Sequence, residues 1–363
     1  MASKYMTQMM KDEKNIVGSM VTGKEIILTP SPSLNWALPI TMGYTLCLYG
    51  PEGSGKSLIS MLALGALMQS DPEAEAVLIS TEMRAPTPDR LRTLGVDPDR
   101  LLIRQVNTLH DVFDWIVSQD DKFVNSDGSK GGPGLQFALK DGFKCKALII
   151  DSIKGIQGPK EQKAESVEKD FMGDISKFLN PSLRAILPII REYNLLTIFV
   201  QQVNMNMDAD EVKYQNKKYI VPSGQALKHF CETMALVEKV TKKDSKIFDE
   251  TMQSIRELPV QMGHTVRVKN EKDNLGKPNR EAEFKIHYTQ GVVRIGEEVA
   301  MLAANLGVIG HPLNDKGAPI ASQYVFGAKK WIGMANVIKD VEENPELQAQ
   351  LMKAVNEMDN KKE

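Results

Sequence analysis

The chain has 363 residues, 42% of them hydrophobic, and a formal net charge of −2 at pH 7, with an isoelectric point near 6.3. That length suits about two domains, or one large α/β domain with small appendages, and the near-neutral charge excludes a global attraction to polyanions, so any nucleic-acid surface must be a local patch. The three cysteines, Cys47, Cys145 and Cys231, lie far apart with no C-x-x-C pair, which points to free buried thiols in a reducing, cytoplasmic setting. No run approaches the roughly 18 apolar residues of a membrane span, and the polar N-terminal stretch lacks the apolar core of a signal peptide.

In chain order, the first strong signal is the apolar run Thr45 to Tyr49. It leads into Gly50-Pro51-Glu52-Gly53-Ser54-Gly55-Lys56-Ser57, a complete G-x-x-x-x-G-K-S phosphate loop, and then into the helix-like Leu58 to Leu64. In that strand-loop-helix context the glycines let backbone N–H groups turn toward phosphates, Lys56 supplies charge to the β and γ oxygens, and Ser57 can ligate Mg²⁺. The helix adds its N-terminal dipole. Three further strand-length runs follow: Val77 to Ser80, Ala147 to Ile150 and Leu196 to Val200. Their polar followers are Glu82, Asp151 and Gln201-Gln202. Short apolar runs alternating with helical stretches predict a mostly parallel, twisted α/β sheet flanked by helices, and in such a sheet the strand ends converge on one ligand. There Glu82 has the chemistry of a general base on water, Asp151 that of a Mg²⁺-linked carboxylate, and a glutamine that of a γ-phosphate reader.

Two breaker-rich stretches, Asn125 to Gly134 and Met205 to Gly224, are expected to be mobile loops. Within the second, Lys213, Tyr214, Lys217, Lys218 and Tyr219 interleave cations with aromatics, as a platform tracking a single strand would. Past residue 225, Val260 to Asn270 and Glu281 to Tyr288 read as an antiparallel edge hairpin joined by the turn-forming residues 273–278. Glu298 to Leu306 reads as a helix ended by Gly307, and from Ala328 onward Trp331, Ile332, Met334, Val337, Ile338 and Val341 recur at helical spacing. A second helix starts at Pro345, giving a small helical C-terminal subdomain. The five histidines show no metal-ligand spacing.

Taken together, the phosphate loop, Glu82, Leu94-Gly95-Val96-Asp97, Asp151, the strand-end Gln202, a polar loop, Gly224-Gln225-Ala226-Leu227-Lys228 and the hairpin ending Ala282-Glu283-Phe284 resemble the RecA family of recombinases. The likeness runs from about Ile16 to Val293, and Leu91 to Arg100 with the tail after residue 300 is closest to phage-type recombinases of the UvsX kind. The resemblance implies a Mg²⁺-dependent, DNA-dependent ATPase that forms filaments on single-stranded DNA and exchanges it with a homologous duplex, served by single-strand-binding and loader proteins and by no membrane. It divides the chain into a subunit-contacting segment at 1–25, a RecA-like ATPase core at 26–295 and a helical subdomain with a polar tail at 296–363. Gly50, Pro51, Glu52, Gly53, Ser54, Gly55, Lys56 and Ser57 would bind ATP, with Ser57 and Asp151 on the metal. Glu82 would be the catalytic Glu and Gln202 the reporter of nucleotide state. DNA would meet two loops, 154–170 and 203–223, together with Lys177, Asn180 and Arg184 at helical spacing; Ser223 and Gly224 close the second loop.

The sequence departs from the family pattern at three places. Lys272 fits the first of two basic hairpin residues that reach a neighbouring subunit's γ-phosphate, but the second position is Asn274. Arg90 stands where an aromatic stacks on adenine, so a guanidinium plane would replace it, and His229 stands at an aromatic interface position. A hexameric helicase or ATPase of the same core fold, or an ATP-binding regulatory paralogue of a recombinase, shares these motifs. The first usually carries a separate N-terminal domain, for which only about 45 residues precede this phosphate loop; the second would not need Lys56, Ser57, Glu82 and Asp151 together.

Overall fold

The computed structural model describes residues 25–158, 174–215, 218–222, 224–242, 245–253, 259–274 and 278–360. The chain opens with β1 (Ile26–Ile27), helix α1 (Pro32–Ala37), β2 (Ile40–Thr41), β3 (Thr45–Gly50) and α2 (Lys56–Ser70). Next come β4 (Glu75–Ser80), α3 (Pro88–Thr93), β5 (Leu101–Gln105), a π-helical turn at His110–Asp114, α4 (Leu135–Lys140) and β6 (Cys145–Asp151). Helix α5 (Asp174–Glu192) leads to β7 (Leu196–Gln202), β8 (Asn204–Met205), α6 (Ala209–Gln215), β9 (Tyr219–Ile220), α7 (Gly224–Phe230) and β10 (Thr233–Lys239). The chain continues through β11 (Lys246–Gln253), β12 (Pro259–Asp273), β13 (Glu281–His287), β14 (Gly291–Val293) and α8 (Ile295–Asn305). It closes with β15 (Gln323–Phe326), β16 (Lys329–Ile332), α9 (Met334–Glu343) and α10 (Pro345–Asn360).

A ten-stranded sheet in the order β14-β13-β12-β10-β3-β7-β6-β4-β5, with β11 on β12, forms the centre of the described residues. From β10 to β5 the strands run parallel, and β11 to β14 are antiparallel. The expected α/β sheet and the β12–β13 hairpin are therefore present. Parallel strands are covered on both faces. On one face α2 packs Ile59, Leu62, Ala63, Leu67 and Met68 against Leu46, Leu48, Leu78 and Ile149; on the other, Leu179, Leu183, Ile186 and Ile190 of α5 cover Tyr49, Val77, Leu148 and Ile150. Helix α2 is apolar nearly all round because it is sunk in this core. The three cysteines are free and buried, as their spacing suggested. Among the described residues no helix is long and apolar enough to cross a membrane.

Two expectations need correction. The first concerns the stretch from Met205 to Gly224, which is not an irregular loop: β8 and β9 pair as a short hairpin around α6. Asp208 caps that helix by accepting from the Asp210 and Glu211 N–H groups at 2.9 and 3.0 Å, a signal readable in Asp208-Ala209-Asp210-Glu211. The second concerns Trp331 and Ile332, which lie in a strand rather than a helix, because Gly327 at φ 58° turns β15 back on β16. Helix α9 starts only after Gly333, and the Trp331 indole N–H reaches Asp340 Oδ2 at 2.8 Å.

Asn125 to Gly134 is a loop, as its breaker-rich sequence led one to expect, and it is tethered to its neighbours. Ser126 donates to Asp111 from its N–H at 2.7 Å, the Trp115 indole donates to the Pro133 carbonyl at 2.9 Å, and Arg104 donates to Asn125 Oδ1 at 3.2 Å while lying 4.2 Å from the Trp115 ring centre. Within the ten-stranded sheet, β5, β10, β11 and β14 had no strand reading in the sequence. Strand β10 is seven residues long and takes its place through long-range pairing with β3 and β12.

A separate apolar cluster joins Val299, Ala303, Trp331, Val337, Val341, Leu351 and Val355, with Trp36 of α1 packed against it. Polar contacts add to that packing in tying it to the sheet layer. Glu298 of α8 is 6% exposed and accepts from the Ser31 hydroxyl and the Ser33 N–H, each at 2.6 Å. Burial pushes its carboxyl above the ordinary glutamate value, while these donors pull it back. Because the folded value is raised, the native state takes up its proton at a higher pH than the unfolded chain and gains stability as pH falls. Glu298→Ala, which strands two donors, should cost about 1–3 kcal/mol near neutral pH. Glu298→Gln should lose less, and its stability relative to wild type should decline as pH falls from neutrality toward the ordinary glutamate range, because the wild-type carboxyl takes up its proton at a higher pH when folded; thermal melts across that range check this.

Candidate active site

The phosphate loop hangs between β3 and α2, and close approach decides its glycines. A Cβ on Gly50 would lie 2.0 Å from the Val237 carbonyl oxygen of the neighbouring β10, and Gly55 caps α2 at φ 106°, where a side chain is strained. No side chain caps α2, so its first-turn N–H groups remain available to an anion. Lys56 is buried and turns its ammonium onto the Gly50 and Pro51 carbonyls at 2.9 and 2.5 Å. Burial pulls its pKa below the usual lysine value, and the carboxylates of Asp151, Glu82 and Glu52 oppose that pull.

The strand order β3-β7-β6-β4 sets the other groups beside this loop. In register, Gly50 faces Gln202, Val200 faces Asp151, and Asp151 faces Ser80, so β3 and β7 end two residues beyond β6 and β4 on the same edge of the sheet. Ser57 is hydrogen-bonded to Asp151, whose carboxyl is pushed up by burial and by Glu82 and pulled down by Ser57 and Lys56. A hydroxyl and a carboxylate in contact beneath an uncapped helix N-terminus fit a magnesium–nucleoside triphosphate. Glu82 lies just beyond β4, and its Oε1 accepts from Gln202 Nε2 at 2.5 Å and from Ser152 Oγ at 3.0 Å. Thr81 and Ser152 brace the two strand ends: the Thr81 hydroxyl donates to the Ser152 carbonyl at 2.6 Å and accepts from the Ser152 N–H at 2.9 Å. The adjacent glutamines separate. Gln201 is fully buried, with its amide on the Gln202 carbonyl at 2.8 Å, while Gln202 faces Glu82.

A family model described as the RecA N-terminal domain matches residues 11–293. The chain belongs to the RecA family.

In this RecA-family chain the remaining candidate residues are dispersed. Arg90, on α3, donates to the Tyr288 carbonyl, and burial lowers its pKa. Lys272, near the end of β12, places its ammonium on the Lys228 and Cys231 carbonyls at 2.6 and 2.5 Å, at the C-terminal end of α7. Asn274 is exposed and donates its N–H to the Glu232 carbonyl at 3.0 Å. Lys177, Asn180 and Arg184 lie exposed on α5, opposite buried Leu179, Leu183 and Ile186, so their helical spacing does put them on one face.

The platform of cations and aromatics divides. Tyr214 is 74% exposed, with the Lys213 ammonium 5.2 Å from its ring centre. Lys218 and Tyr219 instead both donate to Glu238 Oε1, at 3.2 and 2.8 Å, so each has a partner within the chain while Lys218 stays exposed. Gly224 opens α7. Lys217 and Ser223 lie outside the described residues, as does 159–170 of the first loop. Sequence reasoning missed Ser152, Thr81 and Glu238. Ser152 follows Asp151 directly, so the residue after a strand-end carboxylate was the available signal; nothing local announces Glu238.

Lys56→Ala should abolish both ATP turnover and the rise in thermal midpoint on adding ATP with Mg²⁺, since the loop itself carries no other side-chain cation. Differential scanning with and without nucleotide measures the second effect independently of hydrolysis.

Proposed function

We propose that this chain is an ATP-dependent recombinase that assembles as a filament on single-stranded DNA and catalyses homologous pairing and strand exchange, of the phage UvsX-like kind. The observation that carries the reading is Gln202. Its side chain bonds Glu82 beside the phosphate loop, and its backbone runs straight into the segment bearing exposed Met205, Met207, Lys213 and Tyr214. One residue thus belongs to the nucleotide site and to the stretch assigned to DNA. The UvsX-like kinship rests on Leu91 to Arg100 and on the tail after residue 300. Residues 26–295 are assigned to the ATPase core and 296–363 to the C-terminal subdomain.

Bound MgATP supplies a γ-phosphoryl group open to attack by water. The loop N–H groups, the α2 N-terminus and Lys56 hold the triphosphate; Ser57 and Asp151 hold the metal; Glu82 orients a water and accepts its proton. For Lys56 to serve, its ammonium leaves the Gly50 and Pro51 carbonyls, a short swing within one buried loop. Lys272 would reach the neighbouring subunit's nucleotide from the hairpin turn, and Arg90 would flank the base. DNA would run along Lys177, Asn180 and Arg184 of α5, across Lys213 and Tyr214, and past the segment containing Lys217, Lys218, Tyr219, Ser223 and Gly224.

ATP turnover measured with and without single-stranded DNA tests the reading, alongside electron microscopy of protein, poly-thymidine and a slowly hydrolysed ATP analogue. DNA-stimulated turnover with filaments is expected; basal turnover with discrete hexamers overturns it. Glu82→Gln should keep nucleotide binding and slow turnover by about 10²–10⁴-fold. Arg184→Ala should weaken single-strand binding uniformly across sequences and make the salt slope shallower by about 0.7. Tyr214→Ala should cost about 1–3 kcal/mol with little change in slope. Salt titrations of affinity in the presence of the analogue separate the two effects.

A further inference from the structure

Two donors converge on one oxygen of Glu82, and they are anchored very differently. Gln202 Nε2 lies 2.5 Å and Ser152 Oγ 3.0 Å from the same Oε1. Gln202 ends β7 and opens the segment assigned to DNA, so any movement of that segment acts directly on its backbone. Ser152 is fully buried, and its N–H and carbonyl are both bonded to the Thr81 hydroxyl at the end of the adjacent strand. A carboxylate oxygen has about two lone-pair directions. With both donors in place, Oε1 has little left for a water, and the base is held against the protein.

We propose that Ser152 is a positioning residue that, together with Gln202, parks Glu82 in the DNA-free subunit and thereby makes ATP hydrolysis depend on DNA. Gln202 is the releasable donor and Ser152 the fixed one. When the DNA segment draws Gln202 away, Oε1 regains one acceptor direction for water, and the single bond left to Ser152 no longer holds the base back. The inference rests on the assignment of Glu82 as the base.

Steady-state ATP turnover of the full chain with Mg²⁺, with and without saturating poly-thymidine, tests it in wild type, Ser152→Ala and Ser152→Cys. Removing the fixed donor should raise DNA-free kcat about tenfold, as expected for a lost hydrogen bond to a charged group, and leave KM for ATP and DNA-saturated kcat at wild-type values. The stimulation ratio then falls by the same factor. The cysteine keeps the shape of the site with a weaker donor, so its DNA-free kcat should fall between the other two. A packing defect would not raise kcat in one state alone. A DNA-stimulated wild type whose Ser152→Ala variant is unchanged without DNA, or equally slowed with and without it, overturns the inference and leaves the proposed function standing. A wild type with no DNA-stimulated turnover overturns both.

Discussion

The insertion of β7 between β3 and β6 is the constraint on which the rest of the site depends. Parallel pairing in register brings Gly50 level with Gln202, and Val200 level with Asp151, so groups about 150 residues apart in the chain end on one rim. Parallel strands need crossover helices, and those helices, α2 and α5, bury the sheet on both faces. A buried sheet then leaves its strand ends as the place where polar side chains meet. The Thr81–Ser152 brace tightens this rim between β4 and β6.

Burial on that rim works against charge, and the site answers with partners. Lys56 and Asp151 are each driven toward neutrality by desolvation, and each is drawn back by the other. Lys56 finds carbonyl oxygens of its own loop, Asp151 finds Ser57, and Glu82 finds Gln202 and Ser152. Each contact uses a group that MgATP and water are proposed to engage. The same logic operates at the far end of β12, where Lys272 satisfies the carbonyls left open at the end of α7. Close by, the Tyr49 hydroxyl of the phosphate-loop strand bonds Glu271, and burial together with that carboxylate raises the phenol above its ordinary value.

The C-terminal helices are fastened to the sheet layer by polar clasps as well as by packing. Glu298 holds the start of α1, and Arg280, lying 4.7 Å from the Trp36 ring centre, pairs with Asp359 near the end of α10 through two bonds of 2.9 and 2.7 Å. Arg280 directly precedes β13, so the last helix is tied to the turn that follows Lys272. A bidentate, half-sheltered pair of this kind holds geometry better than an exposed one.

Local patterns carried the chemistry a long way. The phosphate loop, Glu82, Asp151 and the exposed face of α5 were all legible because spacing over a few residues decides them: a glycine-rich turn before a helix, a carboxylate after an apolar run, polar residues at helical period. The β12–β13 hairpin was legible from its alternation and turn. Where local rules compete, reading failed: Trp331 and Ile332 fit a helical period but were claimed by a hairpin turning at Gly327, and the polarity of residues 205–224 read as a loop although Asp208 was a helix-capping signal. The sequence by itself determined which groups are available to bind a triphosphate and a metal. Only the tertiary structure decided that Gln202 rather than Gln201 meets Glu82, that Ser152 shares the same oxygen, and that Glu238 claims Lys218 and Tyr219. Those contacts join residues 70 to 120 positions apart at Glu82, and strand order, which depends on how the whole core packs, sets them where short-range spacing has no reach.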